Sequence, residues 1–310
     1  MYAIRRMDRA PDNIEAFLEE IRDGMTTLYG PLTGEECALR LRDQMRDSLT
    51  LPAVEAYEAT VDHGAPAALV YTVYRDGVGR LALLHVLRAH RGRGAEAALV
   101  QMAVSRLQER GAWGITSEAV PMCPLNVADC FTGLGFVRVP RVVMVAPLDT
   151  PSLSSPEHLK SVPLQTDAFS EAAEVIASAY ADHPDRDIQP EVRNSRETLQ
   201  FIIGAAHGAY GHVREGYLRV CRREGTVAGV IVGGQISTEL GFVAQVAVSP
   251  RFQGQGIGAK LLCDLAHVFR ADGLTQMGLG VTAANPARRL YQRLGFRPRR
   301  GVEAFAWWQE

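Results

Sequence analysis

Apolar and polar positions alternate with a period of two over residues 2–7 and then recur at helical spacing over 12–25, where Ile14, Phe17, Leu18 and Ile21 share one face. The spacing predicts a second helix over 33–48. Three strand-like runs follow, 53–61, 67–74 and 80–87, separated by Asp62-His63-Gly64 and Arg75-Asp76-Gly77, both hairpin-type turns. This pattern predicts an antiparallel meander. After it come a glycine-containing loop, a helix over 95–110, a strand over 113–119 and a short helix ending at Leu134-Gly135-Phe136.

The same order is written a second time. Helices over 167–180 and 195–209 precede strands over 218–223, 227–235 and 242–248, then a loop, a helix beginning near Gly256, a strand over 276–281 and a helix ending at Leu294-Gly295-Phe296. The loop glycines Gly92 and Gly254 are 162 residues apart, and Gly135 and Gly295 are 160 apart. A shared element order with a nearly constant offset of that size marks tandem duplication of a domain-sized unit rather than a solenoid of small repeats. The stretch from Asp149 to Glu157 is rich in Pro and Ser and lacks apolar periodicity, so it reads as a linker. The predicted division is therefore a first domain over 1–148, a linker over 149–158 and a second domain over 159–310, with a chain of α/β (α+β) class.

Candidate chemistry concentrates between Val246 and Leu262. A β-favouring run ends at Val248, Ser249 and Pro250 stop it, and Gly254, Gly256 and Gly258 leave backbone N–H groups bare at the start of a helix, a place suited to a phosphate. A Walker-type loop is excluded because Ala259 and Leu261 stand where it needs glycine and Ser or Thr. The dinucleotide pattern is formally met by Gly254, Gly256 and Ala259. Against it, the glycines stand away from the strand end, and the next strand, 276–281, carries no acidic residue for a ribose.

The run Arg251-Phe252-Gln253-Gly254-Gln255-Gly256 resembles the (R/Q)xxGx(G/A) signature of the GNAT superfamily of acyl-CoA-dependent N-acyltransferases, preceded as in that family by Val248-Ser249-Pro250. Asn285, Tyr291 and Leu294-Gly295-Phe296 resemble its second signature, in the correct order. The resemblance implies two tandem domains, each with a mixed, mostly antiparallel central sheet flanked by helices, an architecture similar to that of mycothiol synthases. It implies acetyl-CoA, or another acyl-CoA, as co-substrate. Val246, Ala247 and Val248 would offer their backbone to the pantetheine arm, with the Val248 N–H as oxyanion donor. Gln253, Gly254, Gln255, Gly256, Ile257 and Gly258 would cradle the pyrophosphate, and Arg251 would add charge. Tyr291 would protonate the leaving thiolate, since a phenol with an ordinary pKa of ~10 is neutral at pH 7. Asn285 belongs to the same signature and equally suits an N-cap before Pro286.

No general base declares itself. Glu239, before the central strand, is the first candidate, followed by Asp185, Asp187 and Glu191. The helices and loop before the second meander hold Tyr180, His183, Asp185, Phe201 and Tyr210, a mixture that suits a small cationic amine and equally a helix surface. In the first copy Ala89 stands for Arg251, Glu96 for Gly258 and Phe131 for Tyr291. That half reads either as a degenerate copy or as a second acyl-CoA site with different chemistry. Glu96 would set a carboxylate beside the phosphates.

Composition narrows the rest. A formal charge of −2 argues against a general nucleic-acid or anionic-membrane binder. Five cysteines without a CxxC indicate neither a disulfide framework nor zinc, and the eight histidines form no HxxxH or HExxH arrangement. No apolar run approaches the ~20 residues that span a bilayer, so a cytoplasmic location is expected, as a monomer or homodimer. The expected activity is acetyl transfer to an amine of a small molecule by direct attack, in the C-terminal half. Two other readings stay open: a non-catalytic acyl-CoA sensor, and an aminoacyl or peptide transferase.

Overall fold

The computed structural model describes residues 2–61, 64–118, 127–153 and 159–309. The Asp62-His63 turn, Ala119 and positions 154–158 of the expected linker lie outside them. The chain divides into two compact units, Met1–Arg141 with Gly301–Glu310, and Val142–Arg300.

The first unit begins β1 (Tyr2–Met7), α1 (Ile14–Tyr29), α2 (Pro31–Ser48), β2 (Val54–Val61), β3 (Pro66–Arg75), β4 (Val78–Val86). It continues α3 (Ala95–Glu109), β5 (Gly114–Glu118) and α4 (Ala128–Thr132), and the strand β6 (Val137–Pro147) leads out of it. β2 to β4 form the predicted antiparallel meander, β1 pairs antiparallel with β2, and β4 pairs parallel with β5 over Val78↔Gly114 to Leu81↔Ser117. Period-two alternation along β3 sends Ala68 and Val70 to the core under α3, and Leu69 and Tyr71 to the core with Phe17 of α1 and Met45 of α2. That is why this strand is apolar throughout: both its faces are covered.

The second unit repeats the plan with β7 (Ser161–Pro163), α5 (Phe169–Ala179), α6 (Ser195–Ala206), β8 (Leu218–Arg223), β9 (Thr226–Gln235), β10 (Leu240–Val248), α7 (Ile257–Ala271), β11 (Gln276–Thr282) and α8 (Arg288–Arg293), before β12 (Arg297–Trp308). β7 to β10 pair antiparallel, and β10 pairs parallel with β11. The result is a mixed α/β architecture with a mostly antiparallel sheet, as the sequence predicts. α7 begins at Ile257, one residue past the glycine that caps it.

The final strand of each plan departs from chain order. Residues 301–308 of β12 belong to the first unit, where β12 pairs antiparallel with β5 from Ala304↔Glu118 to Trp308↔Gly114. Residues 142–147 of β6 belong to the second unit. The sequence-based division assigns both segments the other way. An apolar alternation shows that a segment is a strand, whereas which sheet it joins is decided by long-range register. Phe305 shows the outcome: fully buried, it stacks on Phe131 at 4.3 Å between ring centres and 9° between planes. Among the described residues no helix is long and apolar enough to cross a membrane.

Candidate active site

The glycine loop follows β10 through a short turn at Pro250–Phe252. Gly254 and Gly256 have φ of +77° and +81°, a left-handed conformation that a side chain disfavours. A Cβ at Gly254 would meet nothing within 4 Å, so open space lies over the loop at the N-terminal end of α7. Backbone geometry, not packing, demands glycine there. Gly258 is different: it lies inside α7, and a Cβ would stand 3.5 Å from Leu290 and 3.7 Å from Val248, ordinary contact distances.

Beside the loop the sheet opens. The parallel pairing of β10 with β11 ends at Val243↔Leu279, although β10 runs on to Val248 and β11 to Thr282. A β-bulge sits at the fork, where the register with β9 skips Ala244 between Val243 and Gln245. Beyond it, Ser249 donates to Ala228 of β9 at 2.9 Å, so by alternation the N–H and C=O groups of Val246 and Val248 face away from β9, into the opening. Side chains of the same segment meet two of them. The Val246 N–H donates to Gln245 Oε1 at 3.2 Å, and the Val248 carbonyl accepts from Gln253 Nε2 at 3.3 Å.

A set of polar side chains gathers at the fork. Asp185, only 3% exposed, comes from the loop after α5, and its Oδ1 accepts from the hydroxyl of Thr282 at the end of β11. His183 lies with its Nδ1 3.8 Å from Asp185 Oδ2 and its Nε2 3.1 Å from Asn285 Nδ2. Tyr291 of α8 is buried, and burial first, then the charge of Asp185, push its phenol up to about 12. Tyr180 donates to Gln245 Oε1 at 2.5 Å, and Gln245 Nε2 donates to Gln189 Oε1 at 3.2 Å. Three segments remote in sequence thus meet: the loop after α5, the bulged end of β10, and the end of β11 with α8.

Of the predicted residues, Val246, Ala247, Val248, Gln253, Gly254, Gly256, Asn285 and Tyr291 lie along the fork and the adjoining loop. Gln255 is exposed on the loop, while Ile257 is buried and would be 2.6 Å from a Cβ on Gly229. Asn285 accepts from the Ala287 N–H at 2.8 Å, a local turn bond that also orients its amide toward His183. Arg251 is ion-paired with Glu224 of the turn between β8 and β9. Glu239 stands elsewhere. It precedes β10 at the end opposite the fork, nine residues from Val248, and at ~3.3 Å per residue of strand this is a separation of about 30 Å. Of the other acidic candidates, Asp185 reaches the fork and Asp187 is exposed. Phe201 and Tyr210 stack edge to face on each other at 4.9 Å. Gln245, Gln189 and Thr282 were not anticipated. The one signal was Gln245 itself, a lone polar residue in the apolar run Phe242 to Val248.

The first unit keeps the frame and fills the site. Its bulge falls at Ala82, 162 residues before Ala244, and its parallel pairing stops at Leu81↔Ser117. Gly92 and Gly94 have φ of +68° and +94°. Glu96, 6% exposed, turns its carboxylate back to accept from the Gly92 N–H at 2.7 Å. A carboxylate of the protein thus takes a loop donor that a phosphate would use. Phe131, in the place of Tyr291, is sealed by Phe136 and Phe305. Leu83 stands where the second unit has Gln245.

Residues 179–296 match the model of the Acetyltransferase (GNAT) family. They form a GNAT acetyltransferase domain. The whole chain has the tandem GNAT fold, and three solved structures illustrate it. A GCN5-related N-acetyltransferase from Sphaerobacter thermophilus is 19% identical with a TM-score of 0.71, covering 99% of this chain and 95% of its own. A tandem GNAT protein from the clavulanic acid biosynthesis pathway is 16% identical with a TM-score of 0.62, covering 99% and 98%. A GNAT-family acetyltransferase from Colwellia psychrerythraea is 14% identical with a TM-score of 0.53, covering 99% and 100%. No functionally curated protein matches the sequence. In the GNAT domain here, the fork between β10 and β11 and the loop before α7 are the features that can hold a long, phosphate-bearing ligand.

Proposed function

We propose that this protein is an acyl-CoA-dependent N-acyltransferase whose C-terminal unit moves an acetyl group from acetyl-CoA to an amine of a small molecule by direct attack. The observation that carries the reading is the fork itself. Strand backbone groups face the opening on one side, a left-handed glycine loop stands at a helix N-terminus beyond it, and the buried Asp185 is held at the end of β11 by Thr282, its charge felt by the buried Tyr291.

The residues divide the work as follows. Gln253 to Gly258 hold the pyrophosphate, with Arg251 exchanging Glu224 for a phosphate, and Val246 and Val248 hold the pantetheine amides. The attacking amine transfers its proton to Asp185, directly or through His183. Asp185 takes the role of base because of its place at the fork; Glu239 stands too far along the strand. Tyr291 donates to the leaving sulfur. Its proton is held tightly while Asp185 is charged, and neutralising Asp185 with the amine's proton removes part of what holds it. The acid is therefore readied by the step before it. The first unit, with Glu96 on its loop and Phe131 in the core, supports the fold without this chemistry.

The experiment is release of free thiol from acetyl-CoA across a panel of primary amines, with binding measured separately by calorimetry. Asp185→Asn is expected to lower kcat by about 10²-fold or more with little change in acetyl-CoA affinity. Binding without turnover on any amine would favour the sensor reading, and no binding would sink the proposal.

A further inference from the structure

The bulged strand of the second unit carries one buried side chain that the reaction scheme leaves unused. Gln245 is 6% exposed, on the face of β10 that in the first unit bears Leu83 in the core under α1 and α2. A buried carboxamide in an apolar strand is costly unless every polar atom is paired. Here it is paired on two sides. Oε1 accepts from the Tyr180 hydroxyl at 2.5 Å and from the Val246 N–H at 3.2 Å, while Nε2 donates to Gln189 Oε1 at 3.2 Å. Tyr180 and Gln189 bracket the loop that carries His183 and Asp185. One side chain therefore joins the acceptor-side loop to the backbone group that faces the opening of the fork.

We infer that Gln245 is a positioning residue that couples donor binding to the acceptor loop, holding the Val246 N–H until an amide carbonyl of the acyl-CoA takes that N–H. The inference rests on the acyl-CoA reading above. The exchange is conservative in hydrogen bonds: the N–H gains a carbonyl, and the freed lone pair of Gln245 Oε1 turns wholly to Tyr180 or to the incoming acceptor. Residues 180–192 change their constraint only when the donor is in place, so the acceptor site is completed second. The first unit, with leucine at this position, has no such link.

Hydrogen exchange of the 180–192 segment, with and without coenzyme A, tests this in wild type, Gln245→Leu and Tyr180→Phe, with calorimetry of coenzyme A on the same samples. In wild type, coenzyme A is expected to change exchange of the segment by about 5-fold or more, the scale of one or two local hydrogen bonds. In Gln245→Leu the segment exchanges faster without ligand, coenzyme A still binds at least as tightly because the Val246 N–H is already free, and the ligand-induced change is lost. Tyr180→Phe, which leaves the core residue in place, shows the same loss of coupling with an intact fold. A segment that responds equally in all three proteins would overturn the inference alone. Failure of wild type to bind coenzyme A would overturn it together with the acyl-CoA reading.

Discussion

Gly258→Glu writes into the second unit the feature that fills the loop of the first. Glu96 occupies the second position of α3 and Gly258 the second position of α7, and Glu96 already reaches the Gly92 N–H at 2.7 Å. A carboxylate introduced at position 258 is therefore expected to reach the Gly254 N–H and remove one donor from the phosphate cradle. It also sets a negative charge about 4 Å from the bound phosphates, which at an effective dielectric of ~20 costs about 4 kcal/mol. That alone weakens acetyl-CoA binding by about 10³-fold. Folding is not at risk, since replacing glycine inside a helix gains up to ~1 kcal/mol and an acidic group in the first turn a further ~0.5 kcal/mol. The assay is calorimetry at low and high salt on Gly258→Ala, Gly258→Gln and Gly258→Glu, with melting temperatures beside it. Gly258→Ala should bind nearly as wild type, because its Cβ meets Leu290 and Val248 at 3.5 and 3.7 Å. Gly258→Gln should lose about 10-fold, and only the glutamate should recover affinity as phosphate-carboxylate repulsion is altered by salt. Equal loss for glutamine and glutamate would refute the electrostatic account, and wild-type affinity in Gly258→Glu would refute the loop as the phosphate site.

Three further outcomes are expected. Tyr291 is held near 12 by burial and by Asp185, so its phenol stays protonated through pH 10; Tyr291→Phe should lower kcat by about 10²-fold without removing an alkaline limb, and a limb near pH 10 that vanished in this variant would contradict its burial. His85, fully buried against Phe17 and 3.2 Å from Glu20, is lowered to about 4 chiefly by burial. The unfolded chain takes up that proton near pH 6.5 and the folded one does not, so the stability of the first unit should fall as pH drops from about 6.5 to about 4, a slope that His85→Gln should flatten in melting experiments. Phe305→Ala empties a stacked site in the core of the first unit, with an expected loss of about 3–5 kcal/mol; hydrogen exchange should show α3 and α4 losing protection before α7, and the opposite order would refute the placement of β12.

The sequence by itself determined the elements and the glycine loops. Period-two and helical spacing mark the meander, α3 and α7 because those segments bury a face whichever neighbours they meet, and left-handed turns leave glycine at Gly92, Gly94, Gly254 and Gly256 as a readable trace. The duplication was legible because its offset is nearly the same for the loop glycines, 162, and for the glycines at the helix ends, 160. Tertiary structure decided the rest. Asp185 and Glu239 are both acidic residues near a strand or loop, and nothing local distinguishes the one that accepts from Thr282 and helps push up the Tyr291 phenol from the one at the far end of β10. Gln245 is one polar letter in an apolar strand until Tyr180 and Gln189 are seen to pair it. The last strand reads as a strand of the second half, yet Phe305 is buried on Phe131 of the first. In each case the deciding contact joins residues far apart in the chain, and a sequence pattern records only which face a residue turns inward, not what it meets there.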